Sequence, residues 1–186
     1  LLVFGYVDQH GHAEITFKDV RVPVANLIGK EGAGFAIAQA RLGPGRVHHC
    51  MRAIGMAERA LSMMIARANS RVAFGKELSH QGTIQNWIAE SRIEIEQARS
   101  AVYWAACAAD EQASDLQLAL HAAKAFAADT YAKCAGDMIQ LHGGIGFTWE
   151  HDAHLFFKRA RAIQSMLGNG NWHREQVASM ILGEAA

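Results

Sequence analysis

One segment between two predicted helices carries residue types that suit a nucleotide cofactor. Residues 71–76 read Arg-Val-Ala-Phe-Gly-Lys. The guanidinium of Arg71 can form charge-assisted hydrogen bonds with phosphate, and the ring of Phe74 can pack against a planar heterocycle. Taken alone, the segment fits a solvated loop better, so the cofactor interpretation needs support from elsewhere in the chain.

A second segment is rich in glycine and follows a predicted helix. Residues 143–146 read Gly-Gly-Ile-Gly. They are not a Walker loop, because no Gly-Lys-Ser/Thr follows, and they are not a Rossmann turn, because they end a helix instead of joining a strand to one. By themselves these glycines indicate the C-terminal stop of a helix.

The histidines do not have the spacing of a metal site. The chain has ten of them, but it has no His-Glu-x-x-His motif and no pair of cysteines at C-x-x-C spacing. Only His151 and His154 would share a helix face at i, i+3. His48 and His49 can cap, pair or pack within a helix. We therefore predict no metal ligands.

The composition predicts a folded domain and argues against several classes of partner. Apolar residues make up 51% and charged residues 19%, and 18 Lys plus Arg balance 18 Asp plus Glu. No basic field is available to attract nucleic acid or an anionic membrane surface. No long apolar run and no secretion signal appear, and three widely spaced cysteines suit free thiols in a reducing compartment. The predicted location is cytoplasmic.

Hydrophobic periodicity divides the chain near Gly34. Before it, Ala13, Ile15 and Phe17 alternate with polar residues, which predicts a half-buried strand, and residues 19–33 read as an extended connector. After it the period is that of α-helices. The predicted helices are Phe35–Leu42 and Arg46–Ser70, separated by Gly43-Pro44-Gly45, then one from after Ser79 to Asp110, Leu116–Leu141, His151–Ala162 and Asn171–Leu182. The expected fold is all-α, an antiparallel four-helix-type bundle preceded by a short β-strand remnant.

Taken in order, these segments resemble the C-terminal helical domain of acyl-CoA dehydrogenases. The resemblance rests on residues 71–76, on His80-Gln81 and on Gln-Leu-His-Gly-Gly-Ile-Gly-Phe at 140–147. Upstream, residues 19–34 are similar to the family's passage out of its middle β-domain. The resemblance covers essentially the whole chain. It implies two domains: 1–33, the end of the middle β-domain with its connector, and 34–186, the C-terminal bundle.

The resemblance implies a flavoprotein of fatty acid metabolism. Such an enzyme removes two hydrogens from the α and β carbons of an acyl-CoA thioester and passes the electrons to an electron-transfer flavoprotein. The residues that match FAD contacts are Arg71, Phe74, Gln81, Gln140, Gly143, Gly144, Asn169 and Asn171, and Arg46 matches a position that lines the acyl-CoA channel. The FAD would be bound mainly to the neighbouring subunit, which implies a homo- or hetero-oligomer, either a dimer or a tetramer.

The catalytic base does not match. Leu167 occupies the position where most of the family has its catalytic Glu, and Gly45 occupies the position on the long helix that some relatives use instead. Neither residue can accept a proton, so no catalytic residue is assigned. Other residues that could act as the base are Glu150, Asp152, His48 and His49. The sequence upstream that would hold most of the flavin ring has no counterpart here, so we expect a fragment or processed piece that binds FAD poorly alone.

Three functions follow as hypotheses. The first is FAD-dependent α,β-dehydrogenation of an acyl-CoA, with this chain as the part that clamps the cofactor and forms the oligomer. The alternative is a catalytically silent subunit of a hetero-oligomeric acyl-CoA dehydrogenase, which Leu167 favours. The third is a bundle kept only for protein interaction.

Overall fold

The computed structural model describes residues 13–183, and these are mainly helical. The helices are α1 (Gly34–Ser70), α2 (Gly82–Asp110), α3 (Leu116–His142), α4 (Ala153–Ser165) and α5 (Gly170–Leu182), with strands β1 (Val72–Ala73) and β2 (Lys76–Glu77) between α1 and α2. Short 3-10 turns lie at Val24–Asn26, Leu78–His80 and Gly143–Phe147. The predicted all-α class is confirmed. The described part divides into two units between Arg41 and Leu42, while the predicted domain limits at 33 and 34 stay a prediction.

The predicted break in the first helix is wrong. Helix α1 is continuous for 37 residues and includes Gly43, Pro44 and Gly45. An internal proline removes one backbone hydrogen bond and costs about 3 kcal/mol. In so long a helix the remaining hydrogen bonds continue on both sides of position 44, and the core residues from Val47 to Ala68 are buried. The cost of one proline is therefore too small to end the element.

The predicted strand at residues 13–17 is also not formed. These residues have no regular structure, and the side chains of Ile15 and Phe17 are 71% and 79% exposed. A strand needs a neighbouring backbone for its hydrogen bonds. Within residues 13–183 the sheet consists of β1 and β2 alone, paired antiparallel. A strand at residues 13–17 would therefore have no neighbouring strand to pair with in the described chain. Sequence before residue 13 lies outside the described residues.

Helices α1, α2 and α3 form an antiparallel bundle. The guanidinium of Arg99 on α2 pairs with Glu58 on α1, and Lys133 Nζ on α3 lies 3.1 Å from Glu90 Oε2 and 2.5 Å from Glu94 Oε1 on α2. Small side chains, mostly alanines, are buried along all three helices. Alanine keeps helix propensity high and lets the helix axes approach closely.

Helices α4 and α5 pack on α3. Tyr131 is fully buried, and its hydroxyl donates a hydrogen bond of 2.8 Å to the carbonyl oxygen of Phe156 on α4. Gln164 Nε2, at the end of α4, donates to Asp129 Oδ1 at 2.9 Å. Helix α4 therefore runs antiparallel to α3, and the turn that leads into α5 lies beside the N-terminal half of α3. None of the helices in residues 13–183 is long and apolar enough to span a membrane.

Candidate functional site

The Arg71 segment forms a tight β-hairpin at the end of α1. Its register pairs Val72 with Glu77 and Ala73 with Lys76, which leaves Phe74 and Gly75 as a two-residue turn. Both have positive φ, 54° and 79°, as a turn that matches the twist of a hairpin requires. The ring of Phe74 is 93% exposed at the tip, and the side chain of Arg71 is also exposed. The segment is an ordered hairpin and not an irregular loop.

Backbone hydrogen bonds fix the hairpin to the helices beside it. The amide of Arg71 donates to the carbonyl of Arg67 at 3.0 Å, and the amide of Leu78 donates to the carbonyl of Arg71 at 2.9 Å. Gln81 is the N-cap residue of α2, and its side chain makes no capping hydrogen bond. The predicted contact residues Arg71, Phe74 and Gln81 are therefore held by backbone bonding, which leaves their side chains available.

The glycine segment ends α3, as predicted. Gly143 follows the last residue of the helix with φ of 67°, a conformation that favours glycine. An added Cβ at Gly143 or Gly144 would meet no atom of this chain within 4 Å, whereas a Cβ at Gly146 would lie 2.8 Å from the carbonyl oxygen of Ile139. Gly146 is therefore required by packing. Nothing in the described chain explains the missing side chain at Gly144, and the exposed backbone there is open to close approach by a ligand.

The hairpin and the glycine turn lie at the same end of the bundle. The C-termini of α1 and α3 and the N-terminus of α2 meet there, because α2 is antiparallel to both. Arg67 in the last turn of α1 contributes to the lowered pKa of His142, after the larger effect of burial, which places the two residues near each other. We call this the hairpin end; it carries Arg71, Phe74, Gln81, Gln140, Gly143 and Gly144.

The remaining predicted site residues lie elsewhere. Asn169 is the N-cap residue of α5, and its Oδ1 accepts a hydrogen bond of 2.9 Å from the amide of Trp172. Asn171 is exposed in the first turn of the same helix. This turn lies beside Lys124 of α3, whose Nζ donates to the carbonyl of Gly168. The nineteen residues from Lys124 to Gly143 correspond to about 28 Å along the helix axis, so these asparagines do not join the hairpin end of the same chain.

Arg46 belongs to this second group. Its charge lowers the pKa values of His121, Lys124 and His173, in each case after the larger effect of burial. Arg46 is half-buried on α1. The predicted acyl-CoA contact therefore lies near the turn before α5, which we call the 166–169 turn.

Comparison with known proteins identifies the family. Residues 32–182 match the family model for the acyl-CoA dehydrogenase C-terminal domain. The chain belongs to the acyl-CoA dehydrogenase family. Its members are oxidoreductases, and the helical fold described above is that of the family's C-terminal domain.

Individual relatives and solved structures agree with this assignment. The chain is 46% identical over 177 residues to the probable acyl-CoA dehydrogenase FadE2 of Mycobacterium tuberculosis, which covers 95% of this chain and 44% of that protein. Butyryl-CoA dehydrogenase of Megasphaera elsdenii superposes with a TM-score of 0.81 at 32% identity, over 89% of this chain and 43% of the other. A FAD-dependent dehydrogenase superposes with a TM-score of 0.76 at 25% identity, over 83% and 41%. The chain spans less than half the length of these relatives.

None of the four residues of the 166–169 turn is an acid, and the carboxylate of Asp129, which lies beside the following Gly170, is paired with Arg174. Leu167 is half-buried with φ of 61°, and Gly45 is inside α1. Glu150 and Asp152 are exposed in the segment after the glycine turn and so lie near the hairpin end, away from Leu167. His49 accepts a hydrogen bond of 3.1 Å from Arg52, and burial followed by that guanidinium lowers the pKa of the imidazole. No group of three or more His, Cys, Asp or Glu side chains in residues 13–183 could hold a metal ion.

Sequence reasoning missed a buried polar cluster beside the 166–169 turn. Its members are Lys124, His121 and His173, which are 1%, 6% and 0% exposed. A signal was present, because Lys124 lies in phase with the apolar residues Leu120 and Tyr131 of α3. A lysine at such a position is buried, and burial lowers its pKa.

Proposed function

We propose that this chain is the cofactor-clamping and oligomerising part of an enzyme that oxidises an acyl-CoA thioester between its α and β carbons with FAD. The observation that carries the proposal is the composition of the hairpin end. An exposed guanidinium, an exposed aromatic ring and an open glycine backbone lie at one end of the bundle. A dinucleotide needs such groups: a cation for its pyrophosphate, an aromatic surface for its rings and backbone that it can approach closely.

The residues of this chain fit FAD as follows. Arg71 pairs with the pyrophosphate, Phe74 and Gln81 border the cofactor, and Gln140 with the backbone of Gly143 and Gly144 lies against its adenosine diphosphate portion. Bound FAD supplies the acceptor for the hydride that leaves the β-carbon, and an electron-transfer flavoprotein is the expected recipient of the electrons.

The distance between the two groups of site residues supports an oligomer. Asn169 and Asn171 are separated from the hairpin end by most of the length of α3, so one chain does not bring both groups to one cofactor. In a dimer or tetramer, the 166–169 turn of one protomer and the hairpin end of its partner can border the same FAD. Arg46, near that turn, then lines the acyl-CoA channel.

The alternative is a catalytically silent subunit of a hetero-oligomer, and a specific observation favours it. The side chain at position 167 is an apolar leucine. The carboxylate beside the nearby Gly170, that of Asp129, already accepts hydrogen bonds from Gln164 and Arg174. In that arrangement another chain supplies the proton acceptor while this chain supplies Arg71 and the helix interface. A place in fatty acid metabolism and a cytoplasmic location stay predictions from the sequence.

The test uses the full-length protein and two matched arginine variants. Arg71→Ala removes the proposed pyrophosphate contact, whereas Arg92→Ala removes an exposed arginine of α2 that pairs with Glu96. We expect Arg71→Ala to weaken FAD retention by roughly 10- to 150-fold, the loss for a charge-assisted hydrogen bond, and Arg92→Ala to retain FAD.

Turnover then separates the two enzyme hypotheses. Brisk oxidation of an acyl-CoA by the homo-oligomer with an artificial electron acceptor would support an active subunit and contradict the silent one. Activity that appears only with a second dehydrogenase-like chain would support the alternative. Equal FAD retention by both arginine variants would remove Arg71 from the site, and an intact oligomer that binds no FAD would favour a purely interacting bundle.

A further inference from the structure

The 166–169 turn has a backbone that needs support. Leu167 and Gly168 have consecutive positive φ values, 61° and 102°. The left-handed region is unfavourable for leucine, and such a conformation persists only where the surrounding structure fixes it. The contacts around the turn therefore determine whether Leu167 and Asn169 stay in place.

The turn is pressed against the beginning of α5. An added Cβ on Gly168 would lie 2.6 Å from Cε3 of Trp172 and 2.8 Å from Nε2 of His173. No side chain fits between the turn and the helix. The backbone at Gly168 is accordingly in close contact with both rings.

Two buried side chains bind the carbonyl groups of the turn. Nε2 of His173 donates to the carbonyl oxygen of Leu167 at 3.1 Å. Nζ of Lys124, which is 1% exposed, donates to the carbonyl of Gly168 at 3.2 Å and to that of Ile163, in the last turn of α4, at 3.0 Å. Lys124 on α3 thus joins the end of α4 to the turn, and His173 joins the turn to α5.

For a neutral His173, the hydrogen bonds assign the donor and acceptor atoms of the histidine pair. A carbonyl oxygen only accepts, so Nε2 of His173 carries the proton, and in the neutral ring Nδ1 of His173 must accept. Nδ1 of His121 lies 2.8 Å from Nδ1 of His173 and therefore donates. His121 thereby orients the ring that binds Leu167.

Burying an ammonium group is costly unless its hydrogen bonds are satisfied. If position 124 only had to fill space in the core, an apolar side chain would do so at a lower cost in free energy. What Lys124 provides is a donor that reaches two carbonyl groups, one of them in the turn that precedes Asn169 and Asn171.

We propose that Lys124 and His173 are positioning residues that hold the 166–169 turn, and with it Leu167 and Asn169, against the cofactor and the acyl-CoA. They act through the carbonyl groups of the turn and do not contact the reacting atoms. The inference rests on the proposed function, because it takes the turn to border FAD. It adds two residues to that site.

The first test measures hydrogen exchange in the FAD-free, full-length protein. The informative amides are those of Met166, which donates to Ala162 at 3.0 Å, and of His173, which donates to Asn169 at 3.1 Å. Lys124→Met and His173→Leu remove the donors, and we expect these amides to exchange at least about tenfold faster. His173→Gln keeps a donor near the position of Nε2 and should restore protection.

Lys133→Met is the matched control. It makes the same substitution on the same helix but removes only exposed ion pairs with Glu90 and Glu94. Exchange at Met166 and His173 should stay at the wild-type rate. If Lys124→Met fails to fold, as judged by far-ultraviolet circular dichroism, the His173→Leu and His173→Gln pair decides the question alone.

The second readout is the dissociation constant for FAD. We expect Lys124→Met and His173→Leu to weaken FAD binding roughly tenfold and His173→Gln to bind nearly as the wild type does. Unchanged exchange in the two donor-removing variants would overturn the inference, and so would faster exchange with unchanged FAD binding. In both cases the Arg71→Ala effect would still support the proposed function. Absence of FAD binding by the wild type would overturn both.

Discussion

Gly144→Ala separates a glycine kept for a ligand from one kept for packing. The structure has no atom within 4 Å of a Cβ at position 144, and the φ of Gly144 is outside the left-handed region that disfavours alanine. The substitution should leave the free energy of unfolding unchanged or raise it by about 0.4–1 kcal/mol, because alanine restricts the unfolded chain. If the adenosine diphosphate portion of FAD lies on this backbone, the new methyl group occupies the cofactor's space.

The size of the effect on FAD follows from overpacking. An inserted methyl group in a close contact costs about 1–3 kcal/mol, which corresponds to roughly 5- to 150-fold in the dissociation constant. The assay is a flavin fluorescence titration of the full-length protein, paired with urea denaturation of the FAD-free form. The result that refutes the reasoning is Gly144→Ala protein with wild-type stability and wild-type affinity for FAD.

Gly146→Ala is the matched control, two residues away. Its Cβ would lie 2.8 Å from the carbonyl oxygen of Ile139 and 3.0 Å from Cβ of His142, so the backbone itself must shift. We expect a lower free energy of unfolding, by about 1–3 kcal/mol. The two alanine variants should therefore differ in opposite senses: one loses affinity for FAD without losing stability, and the other loses stability.

Two further predictions concern the buried polar groups. Burial, followed by the charges of His121 and Lys124, lowers the pKa of His173 to about 4 in the folded state, against about 6.5 in the unfolded chain. Folding therefore favours the neutral ring, and this stabilises the protein above pH 6.5. The stabilisation, as much as about 3 kcal/mol, is lost as the pH falls towards 4. Urea denaturation at pH 7 and pH 4 should show a smaller loss for His173→Gln than for the wild type, and an equal loss would contradict the assignment. Tyr131→Phe removes the hydrogen bond to the carbonyl of Phe156 and should lower the free energy of unfolding by about 1 kcal/mol, measured by the same method. It should leave FAD affinity unchanged, since Tyr131 is in the bundle core; a loss of affinity would show that the core and the site are coupled.

The residues of the hairpin end were singled out from the sequence, and their contact with FAD stays a prediction. Arg71 and Phe74 stand in a short segment between two helical periods, and Gly143 follows the last residue of a third. Such signals are local, because the type of an element and its stop depend on residues within a few positions of each other. What the sequence could not establish is that the two segments lie at one end, which depends on the antiparallel packing of α2 between them.

Two local predictions failed because packing outweighed local preference. The Gly-Pro-Gly sequence at 43–45 is a strong breaker, yet α1 continues through it. Ile15 and Phe17 alternate as a strand should, yet without a neighbouring backbone they form none. A breaker acts on one hydrogen bond, whereas a strand requires a whole row of them from another segment.

The buried polar cluster also shows what local sequence cannot predict. Lys124 and His173 are 49 positions apart, and nothing in their immediate neighbours indicates that both bind carbonyl groups of one turn. The amino-acid sequence alone determined the helical class, the family resemblance and the residue types of the candidate cofactor site, since these are properties of local order. Only the tertiary structure decided which ends meet, which lysine is buried and what holds Leu167 in place, because those depend on contacts between segments far apart in the chain.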